Sequence, residues 1–134
     1  MFFMCIFCKI INGEIPSKKI YEDENVVAIL DISQATKGHT LALPKKHFDN
    51  LLTIDDEYYT KVMLTAKRLA KAITRAFNAD GCNVLNNCGE AAGQSVMHFH
   101  VHIIPRYKGD DLKIEFTEHE LDLEAIQAEI LKSM

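Results

Sequence analysis

The chain has 134 residues, of which 48% are hydrophobic and 25% charged, and its formal net charge is −4. These values are typical of one soluble globular domain and exclude collagen-like, disordered and membrane-spanning chains. The mild acidity argues against general binding to nucleic acid or to an anionic membrane. Because no repeat or linker-like stretch divides the sequence, we expect a single domain over 1–134.

Hydrophobic patterning and turn residues predict a short helix, three strands, a long helix, two strands and a final helix. The predicted bounds, in that order, are 3–12, 20–22, 26–31, 39–44, 53–77, 81–86, 96–104 and 122–132. Short links between the strands favour an antiparallel sheet with the helices on one side, which is an α+β fold.

The long helix has the clearest signals. Thr53 is the expected N-cap, and acidic residues follow it in the first turn, where they suit the helix dipole. Apolar residues at helical spacing predict its buried stripe, formed by Tyr59, Val62, Ala66, Leu69, Ile73 and Phe77. Its basic residues are interpreted as a solvated face, and they are Lys67, Arg68, Lys71 and Arg75.

The four cysteines, at positions 5, 8, 82 and 88, are too few and too irregularly spaced for a secreted disulfide scaffold. The apolar start of the chain, 1–8, is too short for a signal sequence. We therefore expect a cytoplasmic protein. On a helix, Cys5 and Cys8 would share one face with a spacing common in zinc sites, although unmetallated thiols and a redox pair remain open.

Three histidines alternate in the last predicted strand, at His98, His100 and His102. Strand periodicity points all three to one face, with imidazoles about 7 Å apart, and directs the apolar residues between them to the core. Three charged imidazoles would repel one another, so some must be neutral, which is the form that a nucleophile or a metal ligand requires. A surface histidine cluster is the alternative.

The loop 87–93 and the two residues after it adjoin these histidines. It contains small residues, a carboxamide and exposed backbone N–H groups, and such a turn can bind phosphate oxygens.

The run 93–104, GQSVMHFHVHII, has the form His-φ-His-φ-His-φ-φ, in which φ is apolar, and it resembles the motif of the histidine triad superfamily. Other segments resemble its branch of small nucleotide-binding proteins, and they lie at 5–16, 30–33, 38–47 and 87–93. The resemblance covers residues 3–107, whereas the tail and helix at 108–134 carry no motif of the family.

The resemblance implies a five-stranded antiparallel sheet with one long helix and a short N-terminal helix, and a homodimer. It also implies a purine nucleotide whose α-phosphate is attacked by His100, while His102 contacts phosphate oxygens and assists the leaving group. Asp31 would bind the ribose. The phosphate would be held by Asn87, Gly93, Gln94 and Ser95. The base pocket would be formed by Phe7, Ile10, Ile15 and Ile29, for which a plain core role is the alternative.

For the metal, the resemblance implies a structural zinc site, with His39 as a competitor for one of its positions. The implied ligands are Cys5, Cys8, His47 and His98. His119, in the tail, is expected to be exposed. The expected activity is hydrolysis of nucleoside phosphoramidates or dinucleoside polyphosphates through a nucleotidyl-histidine, with release of a nucleoside monophosphate. A zinc-dependent hydrolase and a nucleotide-binding regulator with little turnover are the alternatives.

Overall fold

The structure, a computed structural model, describes residues 5–134. The elements in chain order are α1 (Ile6–Ile11), β1 (Lys19–Glu22), β2 (Val26–Leu30), β3 (Thr40–Pro44), α2 (Asp56–Ala76), β4 (Gly81–Leu85), a 3₁₀ turn (Glu90–Ala92), β5 (Val101–Arg106) and α3 (Leu123–Ser133). The first helix was predicted from residue 3, and residues 3 and 4 lie outside the described residues.

The five strands form one antiparallel sheet in the order β1-β2-β3-β5-β4. This confirms the predicted α+β fold. The β1–β2 turn is fixed by Asp23, whose Oδ1 accepts the N–H groups of Asn25 and Val26 at 2.7 and 2.8 Å. Among residues 5–134, no helix combines the length and the apolarity that crossing a membrane requires.

The two faces of the sheet carry different helices, because neighbouring residues of a strand point to opposite sides. Under α2, Val62 and Ala66 pack with Phe99, Val101 and Ile103. On the other face, α1 contributes Phe7 and Ile10 to a second cluster, whose strand residues are Val27, Ile29, Leu41 and Leu43. The expectation that the helices share one side is therefore wrong.

The N-cap of α2 is Asp55, whose Oδ1 accepts the Tyr58 N–H at 2.8 Å, and not Thr53. The Thr53 hydroxyl is engaged in the preceding turn, where it bonds to the backbone of Asn50. The predicted stripe is buried only in its middle. Tyr59 and Phe77, at the two ends of the helix, are 38% and 39% exposed.

The last strand begins at Val101, so the prediction of 96–104 is wrong for His98 and His100. The Phe99 N–H donates to Phe48 O at 2.7 Å, in the segment before α2, instead of joining a strand ladder. Pro105, expected to end the strand, lies inside it. This is tolerated because β3 pairs only as far as Ile103, so only β4 flanks the proline.

Candidate active site and metal centre

His100 and His102 line one cavity of about 340 Å³, with ring centroids 5.1 Å apart. His98 is not among the residues that line it and is fully buried. The ring of Phe7 meets the rings of His98 and His100 edge-on, at centroid distances of 5.9 and 5.0 Å. The three alternating histidines are thus divided between two environments, one open to the cavity and one closed.

A backbone carbonyl fixes the proton of His100. Its Nδ1 lies 2.7 Å from His98 O, and a carbonyl only accepts, so Nδ1 carries the proton and Nε2 is left with its lone pair. Burial lowers the pKa of His100 below its ordinary value, which keeps the ring neutral near pH 7. The result is an oriented nucleophilic nitrogen.

The tautomer of His102 is determined by a hydrogen bond from its neighbour His39. The Ala35 N–H donates to His39 Nδ1 at 3.1 Å, which puts the His39 proton on Nε2. This Nε2–H donates to His102 Nδ1 at 2.9 Å, and the remaining proton of His102 is therefore on Nε2. Burial, with smaller effects of His100 and His39, lowers the pKa of His102 to about 4. His102 is thus a neutral imidazole whose Nε2–H can donate a hydrogen bond into the cavity.

The sequence suggested His39 as a support near the triad and as a competing metal ligand, but it did not predict the hydrogen bond to His102. The side chains of Asp31, His39 and His102 do bring ligand atoms within 4.8 Å of one another. However, the Ala35 N–H occupies His39 Nδ1, so the neutral ring has no lone pair on the Nε2 that faces the other two. We therefore interpret this group as a hydrogen-bonded chain and not as a metal site.

The walls of the cavity are largely apolar. They include all four predicted base-pocket residues, which are Phe7, Ile10, Ile15 and Ile29. Asp31 and Ser95 also line it, and Asp31 Oδ1 accepts the Ser33 N–H at 2.8 Å. Leu41 and Val96 contribute to the walls as well. No motif in the sequence distinguished these two from other core residues.

Gln94 is placed differently from the expectation. Its side chain is buried, its Oε1 accepts the Gly89 N–H at 2.8 Å, and its Nε2 donates to Asp49 O and Val96 O at 2.7 and 3.0 Å. The carboxamide therefore braces the loop and does not line the cavity. Asn87 and Gly93, which lie next to each other, also stand outside the cavity lining.

The second cluster joins α1 to the histidine segment, and its members are Cys5, Cys8, His47 and His98. Cys8 Sγ lies 3.3 Å from His47 Nδ1, and Cys5 Sγ lies 3.5 Å from His98 Nδ1. These separations suit ligands on tetrahedral bonds of about 2.0–2.3 Å to zinc. His39 is not part of this cluster.

Both histidines of the cluster are oriented by an acceptor on the far side of the ring. His98 Nε2 donates to Pro44 O at 2.8 Å, and His47 Nε2 donates to Asp49 Oδ1 at 2.9 Å. Each ring thereby directs Nδ1 toward the sulfurs, as is usual for zinc-binding histidines. Burial and the neighbouring Cys5 raise the pKa of Cys8 to about 12, so a bound cation is needed for this thiol to ionise at neutral pH. The donor set fits zinc.

Comparison with known proteins supports a common architecture. Residues 12–109 match the HIT domain. The chain is 50% identical to "Protein hit" of Bacillus subtilis (strain 168), over 97% of this chain and 94% of that one. A solved Zn-bound histidine triad family protein from Mycobacterium smegmatis is 37% identical, with a TM-score of 0.78 and 97% of each chain covered. A solved histidine triad nucleotide-binding protein from Candida albicans is 36% identical, with a TM-score of 0.84, over 96% of this chain and 95% of that one. The chain belongs to the HIT domain family.

Proposed function

We propose that this protein is a nucleotide hydrolase that acts at the α-phosphate of purine nucleotide derivatives. The observation that carries the proposal is the unprotonated Nε2 of His100, held by a 2.7 Å hydrogen bond from Nδ1 to His98 O beside an apolar cavity of about 340 Å³. This volume is within the roughly 300–1,000 Å³ of small-molecule sites. The nucleotide-binding name of the related Candida albicans protein supports the class of ligand.

The substrate would occupy the cavity with its base between apolar walls and its phosphate at the histidines. The base would contact Phe7 and Ile29, and the Asp31 carboxylate would accept hydrogen bonds from the ribose hydroxyls. The Ser95 hydroxyl would bind the α-phosphate, and we assign Asn87 and the backbone at Gly93, which lie next to each other in the same loop, to the same role. Because its carboxamide is already bonded, Gln94 would act by holding the loop in shape.

Catalysis would proceed in two steps. His100 Nε2 attacks the α-phosphorus in line, so a P–N bond forms as the bond to the leaving group breaks. The Nε2–H of His102 donates a hydrogen bond to the departing amine nitrogen or phosphate oxygen, and a departing amine takes its proton from solvent. Water then attacks the nucleotidyl-histidine, the P–N bond breaks, and the nucleoside monophosphate leaves. The proton that this water loses passes to solvent, where it replaces the one taken by the amine, and His100 regains its lone pair.

Zinc would have a structural role. Two thiolates and two imidazoles would supply all four ligands that a structural zinc ion takes, which would leave no position for water or substrate and disfavours the zinc-dependent hydrolase. When bound, the ion supplies cross-linking between α1 and the histidine segment. The Zn-bound protein of Mycobacterium smegmatis supports this assignment. The wider proposal includes a homodimer, as the family resemblance implies, and a reducing cytoplasm, which is consistent with four free cysteines.

The test is release of AMP from an adenylyl phosphoramidate and from a dinucleoside polyphosphate, by the wild type and by His100→Ala. We expect release by the wild type alone, and an acid-labile nucleotidyl adduct on His100 in rapidly quenched samples. Equal release by the two proteins would refute the hydrolase assignment. An adduct on another residue would refute the choice of nucleophile. Preference between the two substrates identifies the leaving group.

A further inference from the structure

The main chain of residues 98–100 lies before the last strand, so its polar groups need partners other than a strand ladder. β5 begins only at the residue that follows this segment. The Phe99 N–H donates to Phe48 O, and the His98 carbonyl accepts from the ring of His100. The position of the segment that carries the proposed nucleophile therefore depends on individual hydrogen bonds.

The side chain of Asn86 holds the carbonyl of His100. Asn86 Nδ2 lies 2.9 Å from His100 O, and because a carbonyl only accepts, the amide donates its N–H there. Asn86 directly follows β4, whose last ladder pair joins Leu85 to His102. The carboxamide therefore continues the cross-strand bonding at the point where the ladder ends. Together with the bond from His100 Nδ1 to His98 O, it fixes the nucleophilic residue both at its main chain and at its ring.

The carboxamide of Asn86 is only partly satisfied. Its Oδ1 is buried and has no hydrogen-bond partner within residues 5–134. A buried acceptor without a partner is unfavourable for folding, and a leucine, which branches at Cγ as asparagine does, would avoid it. The bond to His100 O is the interaction that calls for an amide at this position. Buried polar groups that stability alone does not favour are typical of functional sites.

We propose that Asn86 is a positioning residue of the hydrolase, which holds the main chain of His100 so that Nε2 stays in line with the α-phosphorus. The inference rests on the proposed function. In-line attack tolerates little displacement of the reacting atoms, and a shift of about 1 Å can slow such a step about a hundredfold. Asn86 is not among the residues that line the cavity of about 340 Å³, so it acts on the reacting nitrogen and not on the binding of the nucleotide.

The experiment separates the chemical step from binding. In Asn86→Leu we expect single-turnover formation of the His100 adduct from an adenylyl phosphoramidate to slow about tenfold, while the Kd of AMP changes by less than about twofold. The ring keeps its bond to His98 O, so nitrogen chemical shifts should still report the proton of His100 on Nδ1. Asn86→Asp keeps the shape but presents a carboxylate oxygen in place of the donor, and it should slow the step equally. It carries the test if circular dichroism shows that the leucine variant is unfolded.

Asn83→Leu is the matched control. Asn83 lies within β4, outside the cavity lining, and its Oδ1 accepts from Arg106 Nη1 at 2.7 Å. Its replacement also removes a carboxamide hydrogen bond and is expected to leave the rate of adduct formation unchanged. Equal slowing in Asn83→Leu and Asn86→Leu would overturn the proposal by indicating a general effect on β4.

An unaltered rate in Asn86→Leu would also overturn the positioning role. So would a rate that saturating substrate restores, because the effect would then lie in binding. A wild type that forms no adduct would overturn the proposed function together with this role, whereas the other outcomes concern Asn86 alone.

Discussion

Replacing His39 by leucine tests whether the proton of His102 is set by its neighbour. The substitution removes the 2.9 Å bond to His102 Nδ1 and leaves that nitrogen as a buried acceptor without its partner. Such a loss costs about 1–3 kcal/mol. Since each 1.36 kcal/mol is a factor of ten, we expect kcat/KM for a substrate with an amine leaving group to fall by about 5- to 150-fold. His39→Gln, whose amide N–H can replace Nε2–H, should recover most of the rate.

The assay compares leaving groups. An amine must be protonated as it departs, whereas a nitrophenolate leaves without a proton, so the loss in His39→Leu should be concentrated on the amine. His119→Leu, at an exposed histidine of the C-terminal tail, is the matched control and should retain the full rate. An equal loss with both leaving groups would refute the reasoning and indicate a general disturbance of the site. So would a His39→Gln variant no more active than His39→Leu.

Three further outcomes concern stability. Chelation of zinc, or Cys8→Ser, should lower the Tm because the proposed ion would join α1 to the histidine segment, and a Tm unchanged by both would exclude a structural metal. The free energy of unfolding should fall as the pH drops from about 6.5 to about 4. In this range His102 is protonated in the unfolded chain but stays neutral in the folded chain, where its pKa is about 4. His102→Gln should flatten this dependence in urea titrations, and an unaltered slope would contradict the assignment. Gln94→Ala should destabilise the fold by about 1–3 kcal/mol by leaving the Gly89 N–H and the Asp49 carbonyl without their partner, whereas Ser95→Ala should not.

The sheet and the long helix were predictable because they depend on local periodicity. Short apolar runs in 26–31 and 39–44, bounded by turn residues, and helical spacing from Val62 to Ile73 identify the elements without knowledge of their neighbours. Local periodicity does not show which face of the sheet each helix covers. The position of α1 opposite α2 follows from contacts of Phe7 and Ile10 with distant strands.

The bounds of the last strand were wrong for a related reason. The alternation of apolar residues and histidines from Met97 to Ile103 predicts a strand, but a strand also needs a partner for its N–H groups. At Phe99 that partner is Phe48 O, which lies far away in the sequence. Pro105 was expected to end the strand because a proline cannot donate a backbone hydrogen bond. In the structure β3 pairs with β5 only as far as Ile103, so one side of Pro105 has no neighbouring strand, and this register cannot be read from the local sequence.

For the candidate site, the sequence identified residue types and the structure supplied their connections. The motif nominated His100 and His102, but nothing in it indicates that His39 would donate to His102. Gln94 was assigned to phosphate because a carboxamide in a Gly-rich loop is chemically suitable. Its hydrogen bonds to Gly89 and Asp49 form because the loop packs against the segment before α2. A local sequence pattern does not predict such a tertiary contact.

The hydrogen bonds that His98 and His100 donate to main-chain oxygens have a consequence for mutational robustness. The acceptors, Pro44 O and His98 O, belong to the backbone, so a side-chain substitution cannot delete them. Replacing His98 would remove a candidate metal ligand but would leave its carbonyl in place to hold the ring of His100. Variation in the residues around the cavity can therefore change the shape of the cavity without changing which nitrogen of His100 carries the lone pair. To move the lone pair to the other nitrogen, a designer would have to redirect the backbone itself.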